Sequence, residues 1–309
     1  MSKKVVLEQQ FNTFTDFWEQ VNPFGKTGQK MSGFIFRGEP SDEYSLLPTA
    51  LREENPLEQC EITKIHNEIL SLCRFYKEAN NHGLKIPNNK ILQGDSPAKF
   101  IGNGLFWYSD EFEETAALAQ HYGINTRLLD WTKDIFVAFY FASTGVLKDS
   151  IVTDEEGNFV IYALNYQYLT HKINDWRIHE QTINRKPLPI KFVVPHYAEI
   201  PNIYAQNGIL SYSEVFVHPV HSRSSNIDFT PLDEKLKIIA NEAEYDLSNS
   251  DILLYKFILP KFEATKMLIF VSRLNYTYSR LFPGYAGIKQ TLLEKQLVKS
   301  VVLRILNGT

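Results

Sequence analysis

The chain has 309 residues, of which 44% are hydrophobic and 22% charged, and its formal net charge is -4. This composition is globular and long enough for a large core, and the excess of acidic residues excludes a chain-wide basic surface for nucleic acid. No stretch approaches the roughly 18–20 apolar residues of a membrane span, and the N-terminus lacks the apolar run of a signal peptide. We therefore expect a soluble, cytoplasmic protein with no membrane partner.

The two cysteines, Cys60 and Cys73, lie in one predicted helix. At about 1.5 Å of rise per residue they are about 20 Å apart along its axis, so a disulfide is excluded if the helix is continuous. No cysteine and histidine spacing typical of a zinc site is present. We expect two reduced cysteines in helix packing and no metal site.

The N-terminal half is predicted to be mainly helical. Helical periodicity of the apolar residues and helix-ending signals such as Gly123 predict helices over 11–22, 57–80 and 110–123. Thr13 or Thr15 is the candidate N-terminal cap of the first helix. A short buried strand is expected over 33–40, and an apolar element, helical or extended, over 134–144.

Strands dominate the prediction for the later half. They are expected over 158–165, over 207–220 as a hairpin or two pieces, over 252–260, and last over 301–306, with helices over 262–274 and 288–298. Strands and helices do not alternate regularly, so we predict an α+β fold whose helical N-terminal part packs on a mixed, mostly antiparallel sheet. Residues 1–32 are assigned to an N-terminal helical extension and residues 33–309 to one α+β domain.

A first candidate site is Phe36-Arg37-Gly38, at the end of the predicted strand 33–40. A strand-end arginine can hold a phosphate or carboxylate with its bidentate fork, and the glycine allows backbone to come close. The structural alternative is an arginine paired with a core carboxylate such as Asp130.

A second candidate is the polar segment from Gln120 to Thr132, which lies within apolar sequence. Buried polar groups need partners, so these side chains either satisfy one another or converge on a ligand. We expect Arg127 and Asp130 to form an ion pair that fixes a rigid turn. His121 and Thr126 would then face the same cavity as Arg37.

A third candidate surrounds Gln206 and Glu214. A carboxylate on a strand could polarise a sugar hydroxyl or stabilise a cationic centre, and the alternative for Glu214 is an exposed strand charge. The apolar, turn-forming stretches 257–260 and 281–284 are interpreted as packing.

Together these motifs resemble the FRG domain, a family named after its phenylalanine-arginine-glycine signature. The central match runs from Ala119-Gln120-His121-Tyr122-Gly123 through Thr126-Arg127-Leu128-Leu129-Asp130-Trp131-Thr132 to 138–142, and shorter matches bring its span to roughly 33–290. The resemblance implies a bacterial or phage-associated protein, in some cases encoded near defence or toxin genes.

A more distant resemblance is to ADP-ribosyltransferases, which often begin with a strand-end aromatic-Arg-Gly and end with a strand bearing a catalytic glutamate. It implies an ADP-ribosyltransferase-like fold and NAD as the substrate, with Arg37 gripping its pyrophosphate and Tyr140 stacking on its nicotinamide. The implied catalytic residues are Glu214, His121 and Gln206, and the implied NAD-binding residues are Arg37, Gly38, Thr126, Arg127, Asp130 and Tyr140.

Three functions remain open on the sequence alone. The first is transfer of ADP-ribose from NAD to a protein or nucleic-acid acceptor. The second is a sensor that binds a small nucleotide or a phage component without chemistry, which would follow if the neutral amide of Gln206 occupies the catalytic position. The third is a metal-dependent nuclease, for which the candidate carboxylates are Asp130, Asp134, Glu113 and Glu114.

Overall fold

A seven-stranded mixed sheet organises the protein. The computed structural model describes residues 4–52, 61–89, 92, 106–107, 110–149, 156–179, 188–196, 200–213, 215–216, 230–242, 245, 247 and 252–307. The nine strands in these ranges are β1 (Val6–Gln10), β2 (Ile35–Glu39), β3 (Phe106–Trp107), β4 (Leu129–Thr132), β5 (Asn158–Leu164), β6 (Ile190–Val193), β7 (Gly208–Ser213), β8 (Val215–Phe216) and β9 (Leu254–Pro260).

The order of the large sheet is β1-β9-β5-β2-β4-β7-β6, and β3 pairs with β8 in a separate two-stranded sheet. Only the pair β1 and β9 is parallel; the other pairs are antiparallel. The ten helices of the described ranges are α1 (Phe14–Val21), α2 (Glu61–Asn81), α3 (Asp110–His121), α4 (Ile135–Asp149), α5 (Tyr166–His179), α6 (Pro201–Ala205), α7 (Leu232–Asn241), α8 (Ala264–Arg273), α9 (Tyr278–Leu281) and α10 (Tyr285–Asn307). The fold is therefore of the α+β class. None of the described helices combines the length and apolar character needed to cross a membrane.

One face of the sheet is covered by an aromatic core. Phe17 of α1, Phe139 of α4 and Phe257 of β9 are all fully buried, and the ring of Phe17 lies 5.4 Å from each of the other two. The tilted ring pairs are favourable beyond the apolar area that they bury. This core also receives α8 and joins the N-terminal segment to the later strands.

The opposite face of the sheet packs against α7, where Leu236 is fully buried near Tyr162 of β5. A third apolar cluster joins α2 and α3 to β7, around Leu72, Ala116 and Leu210. The end of α3 therefore lies next to the strands that carry the predicted polar segment.

Several local predictions are confirmed. Thr13 caps α1, since its side chain accepts a hydrogen bond from the backbone of Asp16. Gly123 has a φ of +86°, and it ends α3 in a Schellman motif in which Ile124 N donates to Ala119 O and Gly123 N donates to Gln120 O. The ambiguous element 134–144 is the helix α4.

The structure differs from the prediction at both ends of the chain. Residues 301–306 continue α10 and are not a strand, because no glycine or proline interrupts 288–307 and helix propagation is cooperative. Residues 1–32 contain the unpredicted edge strand β1 as well as α1. Within segment 207–220 the predicted alternative of two strand pieces is confirmed, because β7 and β8 lie in different sheets. Cys60 lies outside the described residues, and Cys73 is buried with a free thiol.

Candidate functional site

The sheet opens between β2 and β4. These neighbours pair only at Phe36 and Thr132, whereas β2 pairs with β5 along its whole length and β4 does so with β7. Beyond the single pair, Arg37 and Gly38 line one side of a cavity of about 380 Å³, and Asp130 lines another. The opening in the sheet therefore forms a ligand-sized space near the lower end of the roughly 300–1,000 Å³ range of ligand sites.

The walls of the cavity are mostly apolar and aromatic. They come from β2, α3, β4, α4, α6 and the residue after α9, and the apolar residues among them include Phe36, Trp131, Val137, Phe141, Ile203 and Phe282. The polar side chains that line it are Arg37, Gln120, His121, Asp130, Thr132 and Gln206. The structure thus brings together five of the predicted site residues: Arg37, Gly38, His121, Asp130 and Gln206.

Arg37 spans the opening in the sheet. Its Nη1 donates to the backbone oxygen of Asp130 at 2.8 Å, and its Nε donates to Glu39 Oε1 at 2.6 Å. Nη2 lies 2.6 Å from the same oxygen, and the Arg37 side chain is 16% exposed. Burial lowers the pKa of Arg37, but Glu39 and Asp130 more than offset this and raise it. The guanidinium therefore replaces a missing strand-to-strand bond while it forms part of the wall.

Gly38 has a packing role. A Cβ at this position would lie 2.0 Å from the backbone oxygen of Ala138 and 2.9 Å from the Cβ of Ala142. Both contacts are with α4, so the glycine lets this helix approach β2. The close approach at Gly38 is therefore with a helix and not with a ligand.

Asp130 presents a carboxylate to the cavity. Its side chain is 66% exposed and lines the cavity, so the carboxylate is reachable by a ligand. Desolvation raises the pKa of Asp130, while Arg37 and the hydrogen bond from Gln120 oppose the shift. Oδ1 accepts from Gln120 Nε2 at 2.6 Å, and Oδ2 lies 3.9 Å from Arg37 Nη1, beyond hydrogen-bond distance.

His121 and Gln206 line the cavity from α3 and from the end of α6. Asn202 Nδ2 donates to His121 Nε2 at 2.5 Å, so Nδ1 carries the proton of the neutral ring. Desolvation lowers the pKa of His121 even though Asp130 opposes this, which favours the neutral form. Gln206 Nε2 donates to the backbone oxygen of Leu281 at 3.3 Å, so the lining residue from this segment is an amide. Glu214, the other catalytic candidate, lies outside the described residues.

The expected ion pair between Arg127 and Asp130 is wrong. Arg127 pairs with Glu68 of α2, whose Oε2 accepts from Nε at 3.0 Å and from Nη2 at 2.8 Å. The Arg127 and Glu68 side chains are 2% and 1% exposed. Arg127 is therefore buried behind β4 and does not line the cavity.

Thr126 and Tyr140 also do not line the cavity. The fully buried Thr126 donates its hydroxyl proton to Gln120 Oε1, so the expectation that it faces the cavity is wrong. Tyr140 is 2% exposed, and its hydroxyl donates to Glu294 of α10, 2.7–2.8 Å from both carboxylate oxygens. Tyr140 is not among the residues that line the cavity, so a nicotinamide in the cavity would not stack on it.

Sequence reasoning missed Glu39 and Glu68. Glu39 follows Arg37 by two residues on the same strand and therefore shares its face, so this pairing had a usable signal. Glu68 lies 59 residues from Arg127, and no local pattern connects them. The sequence places Gln120 in the polar segment, but no local pattern predicts its hydrogen bond to Asp130.

The carboxylates of the nuclease hypothesis have separate partners. Asp130 contacts Gln120, Asp134 accepts from Tyr276, Glu113 accepts from Tyr212, and Glu114 lies against His196. In the part of the chain that the structure describes, no group of three histidines, cysteines or acids is placed to hold a metal.

Comparison with known families matches residues 32–150 to the FRG domain. This match supports the resemblance to that family and contains the signature at 36–38 and the central block. The shorter resemblances after residue 150 lie outside it. No curated protein and no solved structure matches the chain.

Proposed function

We propose that the cavity binds NAD and that the protein is an ADP-ribosyltransferase-like enzyme of phage defence or a toxin, with the opening between β2 and β4 as the NAD cleft. The observation that carries the proposal is the reachable Asp130 carboxylate inside a cavity with aromatic walls. The neutral ring of His121 lines the same cavity.

The chemistry of NAD suits such a site. When the bond between the ribose C1′ and the nicotinamide nitrogen breaks, its electron pair leaves with nicotinamide and positive charge develops on the ribose. A carboxylate in a low-dielectric cavity stabilises that charge. The acceptor then bonds to C1′, and its proton passes to Asp130 as the general base.

Release of nicotinamide from NAD tests this function. We expect turnover by the wild-type protein and a loss of about 100-fold or more in Asp130→Asn, with no change in thermal unfolding because the Asp130 side chain is 66% exposed. Glu19→Gln, an equivalent change at an exposed position of α1, should keep full activity. Full turnover in Asp130→Asn would remove Asp130 from the mechanism.

The second candidate function is a sensor that binds the nucleotide without chemistry. It is favoured by the neutral amide of Gln206, which lines the cavity where an enzyme would use a second carboxylate. Calorimetric binding of NAD without nicotinamide release would establish this alternative. Growth arrest of a bacterial host by the wild-type protein, absent in Asp130→Asn, would instead favour a catalytic toxin.

A further inference from the structure

We propose that the cavity selects the cationic, hydroxyl-bearing end of its ligand and excludes phosphate, with Asp130 as the specificity-determining residue and Gln120 as its positioning residue. This inference rests on the proposed nucleotide-binding function, but it reverses the polarity that the strand-end arginine suggests. It would place the nicotinamide riboside end of NAD inside and the pyrophosphate outside.

Arg37 is poorly placed to hold an anion. Among the described residues it is the only lysine or arginine that lines the cavity, and its charge is matched by Glu39, whose side chain is 10% exposed. Its Nε and Nη1 already donate to Glu39 and to the backbone of Asp130. A phosphate in the cavity would meet this neutralised pair and, in addition, the Asp130 carboxylate.

Asp130, Arg37 and Glu39 together carry one net negative charge, even though Arg37 Nη1 lies 3.9 Å from Asp130 Oδ2. The charged and titratable groups that face Asp130 are Arg37 and Glu39 from β2 and His121 from α3. Arg37 and Glu39 cancel each other, and the ring of His121 is neutral for the reasons given above. One negative charge is left facing the ligand, which favours cations and hydroxyl donors.

A chain of hydrogen bonds fixes the direction of that carboxylate. Leu128 N donates to Thr126 Oγ1 at 3.2 Å, the Thr126 hydroxyl donates to Gln120 Oε1, and Gln120 Nε2 donates to Asp130 Oδ1 at 2.6 Å. Because the backbone N–H of Leu128 can only donate, the Thr126 hydroxyl accepts from it and donates to Gln120 Oε1. The Gln120 amide is therefore oriented with its Nε2 toward Asp130. Oδ1 is thereby occupied, and Oδ2 accepts no hydrogen bond from any residue that the structure describes.

The walls add the second recognition element. Phe36, Trp131, Phe141 and Phe282 are among the residues that line the cavity. Aromatic faces attract flat cationic rings and offer a phosphate no hydrogen bond. The pyridinium ring and ribose hydroxyls of nicotinamide riboside therefore match the walls and Asp130 Oδ2, respectively.

A matched pair of probes tests the inference on the full chain. Nicotinamide riboside is a cation, and dihydronicotinamide riboside is its neutral, nearly isosteric reduced form. Calorimetry at pH 7.5 should show about 10-fold or tighter binding of the cation in the wild-type protein. Asp130→Asn should weaken binding of the cation about 10- to 100-fold and binding of the neutral probe by a smaller factor, because both probes keep the ribose hydroxyls but only the cation loses the attraction between charges. Glu19→Gln should behave as wild type.

Two measurements need no substitution. Inorganic pyrophosphate should not displace nicotinamide riboside from the wild-type protein. Affinity for the cation should also fall as the pH is lowered toward the raised pKa of Asp130, and protonation of His121 would act in the same direction. The neutral probe should show a smaller pH dependence.

The inference is overturned if pyrophosphate competes with nicotinamide riboside, if the neutral probe binds as tightly as the cation, or if nicotinamide riboside does not bind at millimolar concentration. These outcomes differ from failure of the proposed function. Selective binding of the cation without NAD turnover would refute the enzyme and support the cavity selectivity. NAD turnover with strong pyrophosphate competition would support the enzyme and refute the cavity selectivity.

Discussion

Removal of the Glu68 carboxylate should strongly destabilise the protein. In Glu68→Gln the amide keeps one oxygen for the backbone N–H of Arg127, now 2.9 Å from Oε1. Its NH₂ group, however, would face the Nε and Nη2 donors that Oε2 now accepts. The Arg127 charge would remain at 2% exposure without the Glu68 carboxylate. Loss of one partner of a buried ion pair costs about 3–5 kcal/mol.

Urea denaturation can measure this loss from the shift of the midpoint at constant m-value. The matched control is Glu78→Gln, the same change on the same helix at a side chain that is 72% exposed and pairs with His82 on the surface; it should stay within about 0.5 kcal/mol of wild type. The double variant Glu68→Gln, Arg127→Met removes both charges, so it should be more stable than Glu68→Gln alone. A single variant within 0.5 kcal/mol of wild type, or a double variant less stable than the single one, would refute the reasoning.

Three further predictions concern Gly38, which packs against α4, and the hydrogen-bonded pair Tyr140 of α4 and Glu294 of α10. Gly38→Ala should destabilise by about 1–3 kcal/mol in urea melts, because its Cβ would collide with Ala138 O; an unchanged midpoint would contradict this. Tyr140→Phe should cost about 1–3 kcal/mol, because the partly buried Glu294 carboxylate loses one of its donors, and equal stability would refute that role. Burial raises the pKa of Glu294, so the folded state holds this proton more tightly than the unfolded chain. Stability should therefore decline as the pH rises from about 4.5 through the folded pKa, and Glu294→Gln should remove that part of the decline; an identical pH profile in the variant would show the sign to be wrong.

Local signals predicted much of the fold. Thr13 and Gly123 mark helix ends by side-chain capping and by a positive φ, and both act within a few residues of themselves. The strand 35–39 was visible as a short apolar run that ends in Arg37-Gly38. The helix through 301–306 was missed because its β-branched residues resemble a strand, although nothing in the sequence stops the preceding helix.

The candidate site was predicted less completely because its contacts cross long sequence distances. Arg127 pairs with Glu68 in α2, whereas proximity in the sequence favours Asp130 as its partner. Tyr140 was assigned to the ligand because the sequence left 134–144 either helical or extended. Only the helix shows that Val137 and Phe141 share the cavity face and that Tyr140 does not.

A crystal structure of the protein with NAD would show directly which end of the ligand enters the cavity. We expect the nicotinamide riboside end inside, Asp130 Oδ2 within about 2.7–3.2 Å of a ribose hydroxyl, and the pyrophosphate outside. NAD bound away from the cavity, or a pyrophosphate on Arg37 with Glu39 displaced, would contradict this expectation.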